Sequence, residues 1–345
     1  MTRTELSALG EFGLINRIKD KFTNNLPSTT RGIGDDAAVI DTGGEFFQLI
    51  STDLLIEGVH FDLTYVPLQH LGYKAVAVNV SDIAAMNGVP QQITVSLGLS
   101  NRISLEAIDA LYEGIQMACE AYGVDLVGGD TSTSRSGLVI SVTAIGRVHK
   151  DKITYRNTAQ AADILCVTGD LGAAYLGLQV LEREKREFLE NPNMQPQLEE
   201  KSYVVGRQLK PEARTDVVHD LAEAGVVPTA MIDISDGLAS EIMHICTQSG
   251  VGATIFEENI PIDDHTFLAA DDFKISPITA ALNGGEDYEL LFTIKQADYE
   301  KIKNLPNITP IGYINADPTQ IDLATKGGNR VPIQAQGWQH LTLRS

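Results

Sequence analysis

The sequence predicts an α+β protein of two domains, the first built from a sheet and packed helices, the second from a mixed sheet flanked by helices. The chain has 345 residues, a length typical of two domains with a sizeable core. Apolar residues make up 43% of it and charged residues 21%, as in ordinary globular proteins. In the first half, strand patterns outnumber the signals for parallel crossovers, which favours α+β there.

The domain boundary is expected within residues 146–156, where the sequence turns polar and basic (GRVHKDKITYR). We therefore expect one domain over residues 1–149 and a second over residues 150–345. No repeat of fixed period is present, so a solenoid or propeller is not expected.

In the first domain, residues 5–22 carry apolar side chains at helical spacing and predict a leading helix. Two apolar runs, 37–40 and 46–50, flank the turn-like sequence DTGG and predict a β-hairpin. Residues 71–87 predict a helix that is apolar almost all round and therefore buried on most sides. The remaining predicted elements are strands 92–99, 125–127 and 138–148 and an amphipathic helix, 105–122.

In the second domain, apolar runs alternate with helical patterns. The charged segment 183–209 predicts a solvated helix, a loop and another helix. The predicted strands are 164–168, 231–234, 253–256 and 288–293, with a last strand before the tail, and the other predicted helices are 173–181, 213–224 and 238–246.

The chain is strongly acidic, with 26 Lys and Arg against 46 Asp and Glu and a net charge of −20. A field of that sign repels nucleic acid and anionic membranes, so neither is an expected partner. It also repels phosphate ligands. An anionic substrate would therefore need bound cations to bridge it to the protein.

The three cysteines, Cys119, Cys166 and Cys246, are far apart and lie in apolar settings without zinc or redox spacing. Buried reduced thiols are expected, which fits a cytoplasmic protein. The first residues lack the apolar core of a secretory signal, and no apolar run approaches the length of a membrane helix.

Five carboxylate-bearing sites share one pattern: a small residue stands beside Asp where an apolar run starts or stops. They are Gly34-Asp35-Asp36, Ser51-Thr52-Asp53, Ser81-Asp82, Gly129-Asp130-Thr131 and Asp233-Ile234-Ser235-Asp236-Gly237. Glycine lets the backbone approach a ligand closely, and carboxylate and hydroxyl oxygens are the ligands that Mg²⁺ prefers. Five such sites in an acidic chain indicate a multi-metal phosphate site.

Each cluster also has a structural alternative. Ser235 and Asp236 precede a helix and could be ordinary N-caps, and Asp130 could belong to an ordinary turn. Asp82 differs, because an ionised carboxylate in the middle of an apolar helix must find a partner or a metal. We therefore favour a functional role for Asp82.

The common nucleotide motifs are missing: there is no P-loop and no protein-kinase signature. The sequence GDLG at residues 169–172 could be an anion-binding nest or a packing feature. No nucleophile triad is evident from the order of residues. His60 could be a base or a substrate contact, although a single histidine is more often structural.

Six motifs, in this order and spacing, resemble the thiamine-monophosphate kinase family, part of the superfamily of aminoimidazole-ribonucleotide synthetase and selenophosphate synthetase. The motifs are GIGDDAAVI, STDLLIEGVHF, YKAVAVNVSDIAAMNGVP, VGGDTSTS, DISDGLASEI and NGGEDYELLFT. They span essentially the whole chain. The resemblance implies the two-domain fold of aminoimidazole-ribonucleotide synthetase, with dimerisation through the N-terminal domain.

The resemblance also implies residues for a metal site and two substrate sites. The implied metal ligands are Asp36, Ser51, Thr52, Asp53, Asp82, Asp130, Asp233 and Asp236, of which Asp53, Asp82 and Asp130 carry catalysis. The implied ATP contacts are Tyr112, Gly129, Asp130, Arg156 and Ser235. The implied contacts to thiamine monophosphate are His60, Glu286 and Trp338.

The implied activity is ATP-dependent phosphorylation of thiamine monophosphate to thiamine diphosphate, with several Mg²⁺ ions and a homodimer. The acceptor phosphate is already a nucleophile, so no strong general base is required. Glu286 could then hold the cationic side of thiamine and Trp338 could stack on one of its rings, although Trp338 could equally be a core anchor.

Three other functions remain compatible with the sequence. Another synthetase of the superfamily is the nearest, but the first cysteine is Cys119 and the chain ends Leu343-Arg344-Ser345, without the reactive cysteines those relatives need. A metal-dependent phosphohydrolase could use the same carboxylates to activate water. A non-catalytic nucleotide-binding scaffold is the third.

Overall fold

The structure is a computed structural model that describes residue 6 and residues 10–336, apart from the side chains of residues 11 and 12. That part of the chain contains ten α-helices and thirteen strands, and the strands form two sheets. The helices are α1 Gly10–Lys19, α2 Leu68–Ala85, α3 Leu105–Tyr122, α4 Ala173–Glu190, α5 Ser202–Leu209, α6 Thr215–Glu223, α7 Leu238–Ser249, α8 Asp264–Phe273, α9 Pro277–Asn283 and α10 Tyr299–Ile302. The strands are β1 Thr29–Arg31, β2 Ala38–Asp41, β3 Phe46–Ile56, β4 Val89–Leu99, β5 Asp125–Thr133, β6 Val139–His149, β7 Ile164–Thr168, β8 Ala230–Asp233, β9 Gly252–Phe256, β10 Leu290–Ile294, β11 Ile308–Asn315, β12 Ile321–Ala324 and β13 Arg330–Pro332.

The first sheet has the order β1-β2-β3-β6-β4-β5. Within this sheet, only the β4–β5 pair is parallel among the described strands, and β5 forms one edge. Helices α2 and α3 pack together beside this sheet, with α2 against β3, β4 and β6. The two helices approach closely because Gly114 has no side chain; a Cβ there would lie 1.8 Å from the Gln69 carbonyl oxygen.

The second sheet has the order β13-β12-β9-β11-β7-β10-β8. Its described pairs are antiparallel except β9–β12, so it is a mixed sheet. Helix α7 packs against β8, β9 and β10. A separate apolar cluster joins α4, α5, α8 and α9.

Helix α2 belongs to both halves of the molecule. One side packs on the first sheet, and another contacts β8, α5 and α6 of the second half. Ala84 and Ala85, at its end, pack with second-half residues such as Val217 and Met231. This double burial explains why residues 71–87 are apolar almost all round, and it brings the middle of α2 to the junction of the two sheets.

The α+β class and the mixed second sheet are confirmed. Helix α3 and strand β7 have the predicted bounds, and the other predicted elements are present with ends shifted by a few residues. Cys166 and Cys246 are buried free thiols, whereas Cys119 is only half-buried. None of the helices formed by the described residues has the length and hydropathy needed to cross a membrane.

Three predicted boundaries are wrong. Strand β5 does not stop at residue 127 but runs through Gly128, Gly129 and Asp130, because glycine at 129 lets its backbone lie against Val95 of β4. Strand β3 likewise continues past residue 50, paired along its whole length with β6. The helix predicted at the start of the charged segment 183–209 is present, but it is continuous with the predicted helix 173–181 and forms α4, and its Glu184 is buried rather than solvated, with Arg183 and the Gln197 N–H as partners.

Candidate active site

Three aspartates from distant parts of the sequence meet where helix α2 lies between the first sheet and β8 of the second. Asp36 precedes β2, Asp82 lies in α2, and Asp233 is the last residue of β8. One carboxylate oxygen from each lies within 4.8 Å of the others. Helix α2 is the reason for this convergence, because its middle is packed between the first sheet and β8.

Hydroxyl groups hold these carboxylates in place. The Ser51 hydroxyl donates to Asp82 Oδ2. The Ser81 hydroxyl donates to Asp233 Oδ2 at 2.6 Å. The site is therefore cross-linked by side chains from β3, α2 and β8.

Asp53 lies beside this cluster on β3, two residues after Ser51 and on the same face of the strand. Its backbone N–H donates to Asn79 Oδ1 of α2 at 3.0 Å. Burial, and secondarily the Asp233 charge, raise the pKa of Asp53 to about 6. Four carboxylates therefore share one buried region.

Arg156 is the cation that faces this region. Its guanidinium donates to Asp36 Oδ1, and its backbone N–H donates to Asp35 Oδ1 at 3.2 Å. Asp35 also lies 2.7 Å from the guanidinium of Arg31. Asp82 and Asp233 have hydroxyl donors rather than arginines, so negative charge exceeds positive charge here.

The pKa values reflect this excess. Burial raises the pKa of Asp36 to about 7, against the lowering effect of Arg156 and with further raising by Asp233. Burial raises the pKa of Asp82 well above its usual range, and the charges of Asp53, Asp233 and Asp36 add to it. Burial also raises the pKa of Asp233. Ionised carboxylates in this region need positive charge from a ligand.

The donor set fits a hard divalent cation such as Mg²⁺. Asp36 Oδ2 is buried and accepts no hydrogen bond from any described residue. Carboxylate and hydroxyl oxygens surround it, without sulfur or imidazole among the clustered groups, which is the ligand chemistry of Mg²⁺ rather than of zinc.

Other predicted metal ligands lie apart from the cluster. The Thr52 side chain points to the opposite face of β3, where its hydroxyl bonds the Val142 carbonyl oxygen and the Thr143 hydroxyl, each at 3.0 Å. Asp130 lies on edge strand β5, with β6 and β4 between it and β3. At about 4.8 Å per strand, it is roughly 14 Å from Asp53 along the sheet. Asp130 does not belong to a turn, because it lies in strand β5 and pairs with Ser96 of β4.

The predicted ATP contacts are also spread out. Gly129 is on β5 beside Asp130, and Tyr112 lies on α3, partly buried against the first core. Ser235 is exposed in the loop between β8 and α7, and Asp236 follows it. The N-cap of α7 is Gly237, so neither Ser235 nor Asp236 occupies the capping position.

Of the predicted acceptor contacts, Glu286 lies near the cluster and His60 lies beyond the end of β3. The backbone N–H of Glu286 donates to the Ser235 carbonyl oxygen at 2.7 Å, two residues after Asp233. His60 follows β3, and its Nδ1 accepts from the Ile56 N–H at 3.0 Å. Trp338 lies outside the described residues.

Sequence reasoning missed several polar residues that contact the site. They are Lys74 and Asn79 of α2, Gln208 of α5, and Tyr288, which is buried and feels the charges of Asp53 and Asp82. The signal for those on α2 was available. A polar side chain within the apolar pattern 71–87 must find a partner when it is buried, which is the reason already given for Asp82.

Comparison with known proteins places this site in a class. Residues 34–148 match the family described as AIR synthase related protein, N-terminal domain, and residues 161–319 match the corresponding C-terminal domain. The fold and the aspartate cluster at the junction of the two sheets therefore define an AIR synthase related protein.

Within that class, several proteins similar to this chain are thiamine-monophosphate kinases. The thiamine-monophosphate kinase of Bacillus subtilis (strain 168) is 37% identical over 340 residues, which cover 96% of this chain and 99% of the relative. That of Aquifex aeolicus (strain VF5) is 34% identical over 336 residues, covering 97% and 99%. The solved structure "AaThiL complexed with AMPPCP and TMP" matches with a TM-score of 0.83 at 32% identity, covering 99% and 100%. The chain belongs to the thiamine-monophosphate kinase family.

Proposed function

We propose that the protein transfers the γ-phosphoryl group of ATP directly to the phosphate of thiamine monophosphate, giving thiamine diphosphate, at a site where aspartates hold several Mg²⁺ ions. The observation that carries this proposal is the meeting of Asp36, Asp82 and Asp233 within 4.8 Å. The family relationship supplies the two substrates.

The charge of the site supports the metal requirement. Both substrates are anions, and the chain carries a net charge of −20. The residues that would hold Mg²⁺ are Asp36, Asp53, Asp82 and Asp233, with Ser51 as the nearest hydroxyl. Bound there, Mg²⁺ supplies positive charge and a template for the polyphosphate.

The transfer needs no strong base from the chain. An oxygen of the acceptor phosphate forms a bond to the γ-phosphorus while the bond from that phosphorus to the β-phosphate oxygen breaks, and ADP leaves with the electron pair. The phosphate acceptor carries no proton that must be removed. The work of the chain is therefore to bind and orient two polyanions, with Arg156 facing one of the aspartates.

The remaining contacts are proposed for the outer parts of the substrates. Asp130, Gly129, Tyr112 and Ser235 lie apart from the cluster, which suits contacts along an extended nucleotide. Thr52 and Asp236 stay proposed metal ligands, and His60, Glu286 and Trp338 stay proposed contacts to the acceptor.

We also propose a homodimer formed through the first sheet. All nine residues of β5 are exposed at the edge of that sheet, including Leu126 and Val127, which are 42% and 57% exposed. Unpaired strand edges of this kind are sites of pairing with another chain. Light scattering after size-exclusion chromatography tests this: a mass near twice that of the chain is expected, and a single-chain mass would contradict it.

The domain division at residues 149/150 stays a prediction. The first sheet ends at residue 149 and the second begins at residue 164, which supports it. However, α2 packs on both sheets. We therefore expect both halves to unfold in one transition. A cytoplasmic location stays a prediction from the unpaired cysteines, and the exclusion of nucleic acid and membrane partners stays a prediction from the acidic composition.

One assay tests the proposed reaction. Purified protein with ATP, Mg²⁺ and thiamine monophosphate should yield ADP and thiamine diphosphate in equal amounts. Phosphate release without the acceptor would instead support a phosphohydrolase, and no turnover would support a scaffold. Omitting Mg²⁺ with a chelator present should abolish the reaction.

A further inference from the structure

Lys74 is a buried cation that the proposed mechanism does not use. It lies on α2, and only 4% of it is exposed. Its ammonium nitrogen is 2.6 Å from Glu286 Oε2 and 3.2 Å from the Gln208 carbonyl oxygen. An ammonium is removed from water only where it gains a charged partner, so this pair is a specific contact between the two halves of the chain.

Glu286 is held firmly by its surroundings. Its Oε2 accepts a second hydrogen bond, from Gln208 Nε2 at 2.7 Å. Its backbone has a φ of +61°, a conformation that glutamate rarely adopts, and follows Gly285 at +71°. Strained backbone of this kind persists only where the surroundings fix it, and it is frequent at binding sites.

The two oxygens of Glu286 are therefore not equivalent. Oε2 accepts both bonds, whereas no donor from the described residues reaches Oε1, and 28% of the side chain is exposed. The negative charge is already paired with Lys74. What Glu286 offers to a ligand is thus an accessible hydrogen-bond acceptor rather than an uncompensated negative charge.

We propose that Lys74 is a positioning residue that neutralises Glu286 and leaves Oε1 to accept a hydrogen bond from a neutral N–H group of the acceptor substrate. This inference rests on the proposed function. In thiamine monophosphate, the amino group of the pyrimidine ring is such a donor. Glu286 then recognises that amino group. The sequence analysis gave Glu286 as a possible counter-ion of the thiazolium ring, and this inference replaces that role.

Two substrate analogues separate these roles: one lacks the pyrimidine amino group, and the other replaces the thiazolium with a neutral ring of similar shape. The unmodified enzyme should use the first analogue with kcat/KM lower by about 10- to 100-fold. In Glu286→Gln, the amide oxygen faces Lys74 and its NH₂ points outward, so this penalty should shrink to about 3-fold or less. The penalty for the neutral-ring analogue should be equal in the unmodified enzyme and in the double variant Glu286→Gln/Lys74→Met, because in both of them this position carries no net charge.

Lys74→Met tests the pairing itself. Without its partner, Glu286 becomes an uncompensated charge, so preference for thiamine monophosphate over the neutral-ring analogue should increase by about 5-fold or more. KM for thiamine monophosphate should rise about 10-fold, with KM for ATP changed less than about 2-fold, and Lys74→Arg should recover part of the loss. A matched control is Lys150→Met, which removes a half-exposed ion pair with Asp41 at 2.7 Å and should leave every ratio unchanged.

The outcomes are distinct. If Glu286→Gln leaves the amino-group penalty intact, or if the double variant Glu286→Gln/Lys74→Met removes the neutral-ring penalty, the inference is wrong although the kinase activity stands. If Lys74→Met does not fold, the analogue ratios of Glu286→Gln still decide. If the unmodified enzyme does not turn over thiamine monophosphate, the proposed function fails, and this inference with it.

Discussion

Two buried networks of acidic residues differ in how their charge is balanced. Around Asp36, Asp82 and Asp233, carboxylates face one another and Arg156 bonds only the first. In the second network, Glu289 is fully buried, but each of its oxygens has its own arginine. In the first network negative charge exceeds positive charge, whereas the second supplies its own cations.

This difference separates a binding site from a structural contact. Arg207 lies 2.9 Å from Glu289 Oε1, and Arg214 lies 3.3 Å from Oε2. The Thr168 hydroxyl donates to Oε2 at 2.5 Å. A buried carboxylate with such partners needs no ligand, so burial of an acid alone does not identify a site.

The largest expected effect comes from removing a carboxylate of the unbalanced network. Asp82→Asn should lower kcat by roughly 100-fold or more, because a ligand to the phosphate-bridging cations is lost. Its unfolding free energy without Mg²⁺ should not fall, since the change also removes repulsion from Asp53 and Asp233. Steady-state kinetics and denaturant unfolding measure the two effects.

Asp163→Asn is the matched control. Asp163 is also buried, but it accepts only from neutral groups, the Thr229 hydroxyl at 2.6 Å and the Gln160 N–H at 2.9 Å. Its kcat should stay within about 3-fold of the unmodified enzyme. Equal losses of kcat in both variants would remove the distinction between the two kinds of buried acid.

The network around Glu289, whose charges are balanced, should respond in the opposite way, through a loss of unfolding free energy. Arg207→Met breaks the buried ion pair at Glu289 Oε1 and leaves only Arg214 as a counter-charge, and breaking a buried pair costs up to roughly 3–5 kcal/mol of unfolding free energy. Urea unfolding should show this loss, and added Mg²⁺ should not restore it. Restoration by Mg²⁺ would mean that this network also binds cations.

A smaller effect is expected at Asp287, a buried acid beside the second network, whose carbonyl oxygen accepts from Arg207 at 3.5 Å. Its Oδ2 accepts from the Gly172 N–H at 2.9 Å, whereas its buried Oδ1 accepts from no described residue. Burial raises its pKa to about 7, against the lowering effect of Arg207. The folded state therefore binds a proton more tightly than the unfolded state, and stability falls as pH rises from about 4 to about 7.

Asp287→Asn should remove that slope. At pH 8 it should be more stable than the unmodified protein by about 1–3 kcal/mol, within the roughly 4 kcal/mol that a shift of this size allows. Towards pH 4 the advantage should disappear. Thermal unfolding at several pH values tests this, and a variant less stable at pH 8 would contradict the sign.

Most of the fold was predictable from sequence, because helices such as α3 and strands such as β7 carry their own periodic patterns. Strand β5 was cut short because Gly128 and Gly129 have the composition of a turn, and only their packing against β4 shows a strand. Local pattern does not report such contacts between distant segments.

The site was predictable in part. The motifs identified Asp36, Asp82 and Asp233, and a charge inside an apolar helix gave a physical reason for Asp82. Lys74 was missed, although it lies in the same helix, because its partner Glu286 is 212 residues away. The face on which Thr52 lies could not be assigned either, since it follows from pairing with β6.

Direct metal binding tests the central claim, that the unbalanced aspartates form a divalent-cation site. Mn²⁺, which accepts the same oxygen ligands as Mg²⁺, can be titrated into the nucleotide-free protein and followed by electron paramagnetic resonance. We expect binding that Mg²⁺ displaces, with affinity reduced by about 10-fold or more in Asp82→Asn and Asp233→Asn and unchanged in Asp163→Asn. Equal Mn²⁺ affinity in all four proteins would contradict the account.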